Sequence, residues 1–323
     1  MWLEAKMTRW IAALLSTCML LLVGCGLDAR AKALEQLADS LRAQPGVSDV
    51  KVDTISAGGL GIASARVEIS AKDLATALDI VEGNRTALNK FRDEQVRLFQ
   101  VAVRVPVTGG SSVLPLGDEP PSAEVKTLME AALPEGAVER HVGVRDLSGA
   151  HSEISRVVSY LVSDGSDIAT LLSVARSAEG LAGFDLEVTN NADSLWGTDE
   201  ADLRYRAERV AGLGDAGFEV SVEGDTVVVS SPEQMEPVAV LLGESPTWTV
   251  RYQQTYSVRT GPGQSRYLGL IAELSGDPAI AAVRLDDDHL FVQFSRDEKT
   301  ACQAFEADPP VVADHSVVVN CPQ

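Results

Sequence analysis

The chain has 323 residues, 45% hydrophobic and 23% charged, the balance of a folded protein and not of a disordered one. Its formal net charge of −20 argues against nucleic acid and broad adhesion to anionic lipid, both of which draw affinity from Lys and Arg. The length allows two or more domains with cores of their own.

Lys6 and Arg9 precede a run of 14 residues, 10–23, without a charge. A positive start followed by an apolar core is the pattern of a secretory leader. Glu4 does not fit such a start, and translation from Met7 gives a cleaner one. As a helix the run spans roughly 21 Å, short of the ~30 Å hydrocarbon core, so it does not read as a transmembrane anchor.

The run closes on Leu22-Val23-Gly24-Cys25. This resembles the lipobox of bacterial lipoprotein precursors. The resemblance implies removal of residues 1–24, a thioether diacylglycerol on Cys25, and acylation of the new amino group by a chain such as palmitate. At about 0.8 kcal/mol per buried methylene, two or more chains make a stable anchor. Residues 25–30 then form a short lipidated tether. An ordinary cleaved signal in which Cys25 is incidental is the other reading.

From residue 31 onward the fold class expected is α+β: about four tandem αββαβ modules, related to the ferredoxin-like order, each a small sheet with two helices on one face. The first, 31–105, opens with Ala33, Leu34, Leu37 and Leu41 at helical spacing and stops at Pro45-Gly46. Two alternating runs joined by Gly58-Gly59-Leu60-Gly61 follow as a hairpin. A long helix over 72–91, open to an interruption at Gly83, and a strand over 96–105 complete it. Residues 106–121 are rich in Pro and Gly and read as a linker. The same order recurs over 122–190, 191–258 and 259–323. Ser231-Pro232-Glu233-Gln234 and Ser295-Arg296-Asp297-Glu298 fit the capping box at the second helix, and Ser70-Ala71-Lys72-Asp73 is a looser version. One large mixed sheet without true repeats is the competing reading. The free face of each sheet is left to solvent, a neighbour or a partner.

With Cys18 leaving in the leader and Cys25 carrying lipid, Cys302 and Cys321 remain. In an oxidising extracytoplasmic compartment they are expected to pair, two buried thiols being the alternative. Two cysteines alone do not make a zinc site. The histidines, His141, His151, His289 and His315, show no metal-ligand spacing. The Asp286-Asp287-Asp288 turn lacks the spaced oxygens of an EF-hand and reads as a solvated turn. G-x-S-x-G, a P-loop and a dinucleotide fingerprint are all missing. Asp199-Glu200 reads as a helix N-terminus before it reads as a carboxylate pair. Trp248, Tyr252 and Tyr256 fall on one face of a strand read through 247–258. Core packing is the default there, a peptide- or glycan-binding strip the alternative. Trp196 is a candidate contact between modules.

These readings point to a non-enzymatic scaffold or binding protein of the bacterial cell envelope, held on the outer face of a membrane by lipid, needing no cofactor, with an envelope protein as partner. A solute-binding lipoprotein of a transporter is the alternative, and an enzyme acting on cell-wall material a weaker one.

Overall fold

The computed structural model describes residues 32–56, 62–94, 98–116, 120–146, 154–163, 166–190, 192–243, 247–252, 256–259, 267–285, 289–310, 312 and 316–322. The leader, Cys18, Cys25, the tether, the Gly58–Gly61 turn, His151, His315 and the Asp286–Asp288 turn lie outside them.

Four separate αββαβ modules do not form. Among the described residues, fifteen strands make one mixed sheet whose hydrogen-bonded order is the order of the chain. A split βαβ sets a strand between its two parallel strands. Here each helical crossover joins two parallel strands that are direct neighbours, and among the described pairings each hairpin is antiparallel. The recurring element is therefore α-β-β, not αββαβ. Three strands that the sequence pattern did not separate account for the difference: β4 (Gly110–Leu116), β8 (Ser194–Gly197) and β12 (Tyr256–Arg259). The first lies inside the segment read as a linker. The last is the return strand of a hairpin, not the continuation of one long strand.

The chain divides into two compact units. Unit 1, residues 1–133 with 139–144, holds α1 (32–42), β1 (Val47–Ser56), β2 (Ile62–Ala71), α2 (Leu74–Gly83), α3 (Arg85–Glu94), β3 (Leu98–Val107), β4, α4 (Ala123–Glu130) and most of β5 (Ala137–Asp146). Right-handed crossovers put the helices of such a sheet on one face. Along β2, Ala65, Val67 and Ile69 are buried on the helix side, while on the other face Arg66 and Ser70 are half-buried and Glu68 between them is buried. The Leu34, Leu37 and Leu41 stripe of α1 packs on Val50, Val67 and Ile69 in one core. The first turn of α2 is closed by Asp73, whose Oδ1 accepts from Thr76 N at 2.7 Å; Ser70 is not the cap. Ser122 caps α4 in the same way, at 3.3 Å from Val125 N.

Unit 2, residues 134–138 with 145–323, holds β6 (Ile154–Val162), α5 (Ile168–Ser177), β7 (Asp185–Thr189), β8, α6 (Glu200–Asp215), β9 (Val220–Gly224), β10 (Thr226–Val229), α7 (Met235–Leu242), β11 (Thr249–Tyr252), β12, α8 (Leu268–Ser275), β13 (Ile280–Leu285), β14 (His289–Phe294), α9 (Lys299–Ala307) and β15 (Ser316–Asn320). Its core is aliphatic, with Leu171, Leu203, Val238 and Ile271 of the helices set over Leu186, Leu195, Val227, Val250 and Val283 of the strands. Gly197 lets α6 close on β8: a Cβ there would lie 2.5 Å from Leu203 N. Asp167 and Asp199 cap α5 and α6.

The two expected capping boxes of this unit do not form. Ser231 precedes a short 3-10 turn without a side-chain cap bond, and Gln234 Oε1 instead accepts from Ser230 N and Oγ. Glu298, not Ser295, is the N-cap residue of α9, again without a side-chain bond. Cys302 and Cys321 form a disulfide with Cα atoms 5.6 Å apart, tying α9 to the end of β15. Among the described residues no helix is long and apolar enough to cross a membrane.

Candidate functional site

The helix-free face of unit 1 carries the densest charged arrangement of the described residues. Register builds it. Ser70 pairs with Arg104 across β2 and β3, Arg104 with Val113 across β3 and β4, and Val113 with His141 across β4 and β5. Side chains in register on one face stand within reach of each other, so charges spread over four strands of the sheet become neighbours through their intermediates.

Glu68 on β2 is the first anchor. Its carboxylate accepts from Arg66 at 3.2 Å and from Arg104 Nε at 2.6 Å. Arg104 then turns its other nitrogen to Ser111 Oγ, at 2.7 Å, and to Glu139. Ser111 Oγ donates to Glu139 Oε2 at 3.2 Å, and His141 Nε2 meets the other carboxylate oxygen. The side chains of Glu68 and Glu139 are only 9% and 16% exposed. A carboxylate that far from water is costly unless paired and hydrogen-bonded, and here both conditions hold.

Burial pushes the Glu139 carboxyl up, but the hydrogen bonds and charges of His141 and Arg104 outweigh it and hold it at about 2. Burial lowers Arg104, and its bonds to Glu139 and Glu68 more than restore it, so its pKa ends raised. The pair is therefore ionised across the physiological range. Glu139 is too acidic to take a proton at neutral pH as a general base should. Ser111 is held between a guanidinium and a carboxylate, with no imidazole bonded to it, so the pair needed for nucleophilic attack is not assembled at this serine. The arrangement can fix charge in space and offer it to a partner.

Beneath the same strand, Arg140 points to the helix side and is fully buried. It donates to the carbonyls of Leu128, Ala131 and Ala132 at the end of α4, and to Ser112 Oγ. These carbonyls carry the negative end of the helix dipole, and of the three only that of Leu128 also accepts, among the described residues, from a backbone N–H, that of Ala131 at 3.1 Å, so a cation is well matched to them. Arg140 thus fixes α4 to the strand that presents Glu139 and His141.

On the helix-free face of unit 2, Arg251 pairs with Glu223 at 2.7 Å, and Arg284 lies 4.9 Å over the Phe291 ring. His289 stacks on Phe291 at 5.5 Å. Of the four histidines, His141 joins the network of unit 1 and His289 this aromatic row. No group of three metal-ligating side chains occurs among the described residues.

The Asp199-Glu200 pair is structural: Asp199 accepts from Asp202 N and Glu200 from Gly180 N, both at 2.8 Å. Trp248 is buried, with Arg206 4.9 Å over its ring. Tyr252 and Tyr256 are not on one strand; they face each other across the β11–β12 hairpin with rings 6.1 Å apart. Trp196 lies on β8, opposite Glu187, and a Cβ at Gly224 would strike its indole.

Arg66, Glu68, Arg104, Ser111, Glu139 and Arg140 did not emerge from the sequence. The signal available was a charge at alternate positions of otherwise apolar strands, with opposite signs on neighbouring ones. No protein-family model matches the chain, nor does any curated protein or solved structure.

Proposed function

We propose that this chain is a lipid-anchored extracytoplasmic protein that binds or organises a partner without chemistry of its own, the partner resting on the helix-free face of unit 1. The observation that carries the reading is the Glu68–Arg104–Glu139–His141 array: fixed charges on a rigid sheet, with no helix on their face and no activated nucleophile among them. Two features support the setting. The Cys302–Cys321 disulfide suits an oxidising compartment, and the lipobox resemblance at Cys25 supplies an anchor that an acidic surface does not.

The test joins both halves. Cell fractionation should find the chain with the membrane and the Cys25→Ser variant released from it; a wild-type chain recovered free would end the anchoring proposal. A photocrosslinking residue at Gln100, exposed on β3 and in register with Arg66, should yield one discrete protein adduct that Arg66→Glu removes. Blank lanes from Gln100 and from every other position on that face would end the partner proposal.

A further inference from the structure

On the opposite side of unit 1 the helix layer opens. A cleft of about 270 Å³ lies between α2 and α3 on one side and the start of α4 on the other. Its floor is β3 and β4: Phe99, Val101 and Leu116. These three point to the helix side, where the same row on β3 continues as Val103 and Val105, both buried. Phe99, Val101 and Leu116 are only half-buried. Two strands at about 4.8 Å match one helix of about 10 Å diameter, so a helix per hairpin just closes the layer. Here the chain enters α4 through Pro120 and Pro121, and a helix of eight residues follows. Apolar side chains of a central strand are left facing a cavity.

Leu78, Val81 and Leu88 continue the apolar lining along the walls, with half-buried Asn89 the one uncharged polar side chain among them. Charge is confined to the rim. On the α2 side Glu82 is engaged by Arg85 at 2.8 Å, and Asp79 stands next to them. Lys126 faces them from α4, exposed and without an ion pair among the described residues. A ligand suited to this cleft is apolar where it lies on Phe99, Val101 and Leu116 and carries one polar end at the mouth. Asp79 repels an anionic end from the α2 wall, and Lys126 attracts it to the α4 wall. The volume equals roughly nine water-sized groups, about the size of a medium aliphatic chain.

We propose that the cleft binds a single-chain aliphatic carboxylate, its chain on Phe99, Val101 and Leu116 and its head at Lys126. This site is independent of the helix-free face and of the lipid on Cys25.

Calorimetric titration of hexanoate, octanoate and decanoate into the purified chain tests it. Each added pair of methylenes should tighten Kd about tenfold while the chain still fits. Val101→Trp should abolish binding. Lys126→Glu should weaken decanoate at least fivefold and leave decanol unchanged, and Asp79→Asn should not weaken decanoate. No binding of decanoate up to its solubility overturns the proposal. So does decanoate binding that survives Val101→Trp, or that ignores Lys126→Glu. If Val101→Trp does not fold, the exposed rim substitutions still decide the outcome.

Discussion

In unit 1 the strands β1, β2 and β3 are each ten residues long, whereas from β7 to β15 no strand in unit 2 exceeds six. Length changes what a sheet face can hold. Ten residues give five positions per face, enough for Arg66, Glu68 and Arg104 to lie beside one another and for their charges to interlock. Four residues give two positions, and a face so narrow is held by what packs against its other side. Unit 2 accordingly relies on close approach of helix to strand, as at Gly197, and on a covalent tie at Cys302 and Cys321. The same α-β-β element is thus stabilised by polar satisfaction in one region and by steric fit in the other.

The sharpest way to break this contrast is at Arg140. Arg140→Met keeps much of the volume but removes the guanidinium donor from the part-buried carbonyls of Ala131 and Ala132 and one of the two donors to the Leu128 carbonyl. An unsatisfied buried group costs about 1–3 kcal/mol, and with water able to reach part of this helix end we expect a total loss of about 3 kcal/mol from unit 1. Hydrogen exchange read by peptide should show α4 losing protection while α5 and α6 keep theirs. An unchanged α4 would mean that the arginine is incidental to the helix end. The counterpart in unit 2 is Gly197→Ala. A Cβ at 2.5 Å from Leu203 N meets backbone, which cannot swing aside, so α6 must shift. Overpacking of this kind costs about 1–3 kcal/mol, and exchange should rise in α6 and β8 but not in β2 or β3. If both variants loosened both units equally, the division of labour argued above would be lost.

The Glu139 network gives a smaller effect with a pH signature. The folded carboxyl sits at about 2 against an ordinary 4.5. A depressed carboxyl stabilises the fold fully above its unfolded pKa and loses that stabilisation as pH falls towards the folded one. Unit 1 should therefore weaken between about pH 4.5 and about 2 by on the order of 2 kcal/mol, an amount reduced for the part of the network that water screens. Urea unfolding followed by exchange in β3 and β5 measures it. Glu139→Gln should be weaker at neutral pH and flatter through that window. A wild-type profile as flat as the variant's would remove the network from the stability of unit 1.

What could be read from the chain follows the same physics. The helices were legible because an amphipathic stripe such as Leu34, Leu37 and Leu41 repeats within one element. Hairpins with long alternating runs, such as β1–β2, were legible for the same reason. β4 was hidden because Gly109, Gly110, Ser111, Ser112 and Pro115 carry turn-forming composition; in the fold, β5 pairs with it over Ser111–Val113, short of the proline that lacks a donor. β8 has four residues, too few to show a period. β12 was hidden by continuity, since Tyr252 and Tyr256 keep an even spacing whether they share a strand or, as here, face each other across a turn. With β4, β8 and β12 unseen, αββ repeats read as αββαβ modules. The charged network was beyond reach for another reason: Glu68 and Glu139 each meet Arg104 from about 35 residues away, a pairing that only strand register defines.

The smallest effect expected probes what the two units share. Asp199 caps α6 with Oδ1 at 2.8 Å from Asp202 N, and Ser122 caps α4 with Oγ at 3.3 Å from Val125 N. A cap satisfies one of the four free donors at a helix start, and its removal costs about 1 kcal/mol. Asp199→Ala should lose about that much from unit 2, and Ser122→Ala less from unit 1, since its bond is longer and carries no charge. Urea midpoints at constant slope measure both. Should Ser122→Ala cost more than Asp199→Ala, the start of α4 would be under greater demand than its cap geometry indicates. That would fit a helix held at its far end by Arg140 and bordered at its start by the open cleft. Equal and negligible losses would instead show that packing, not capping, sets where the helices of both units begin.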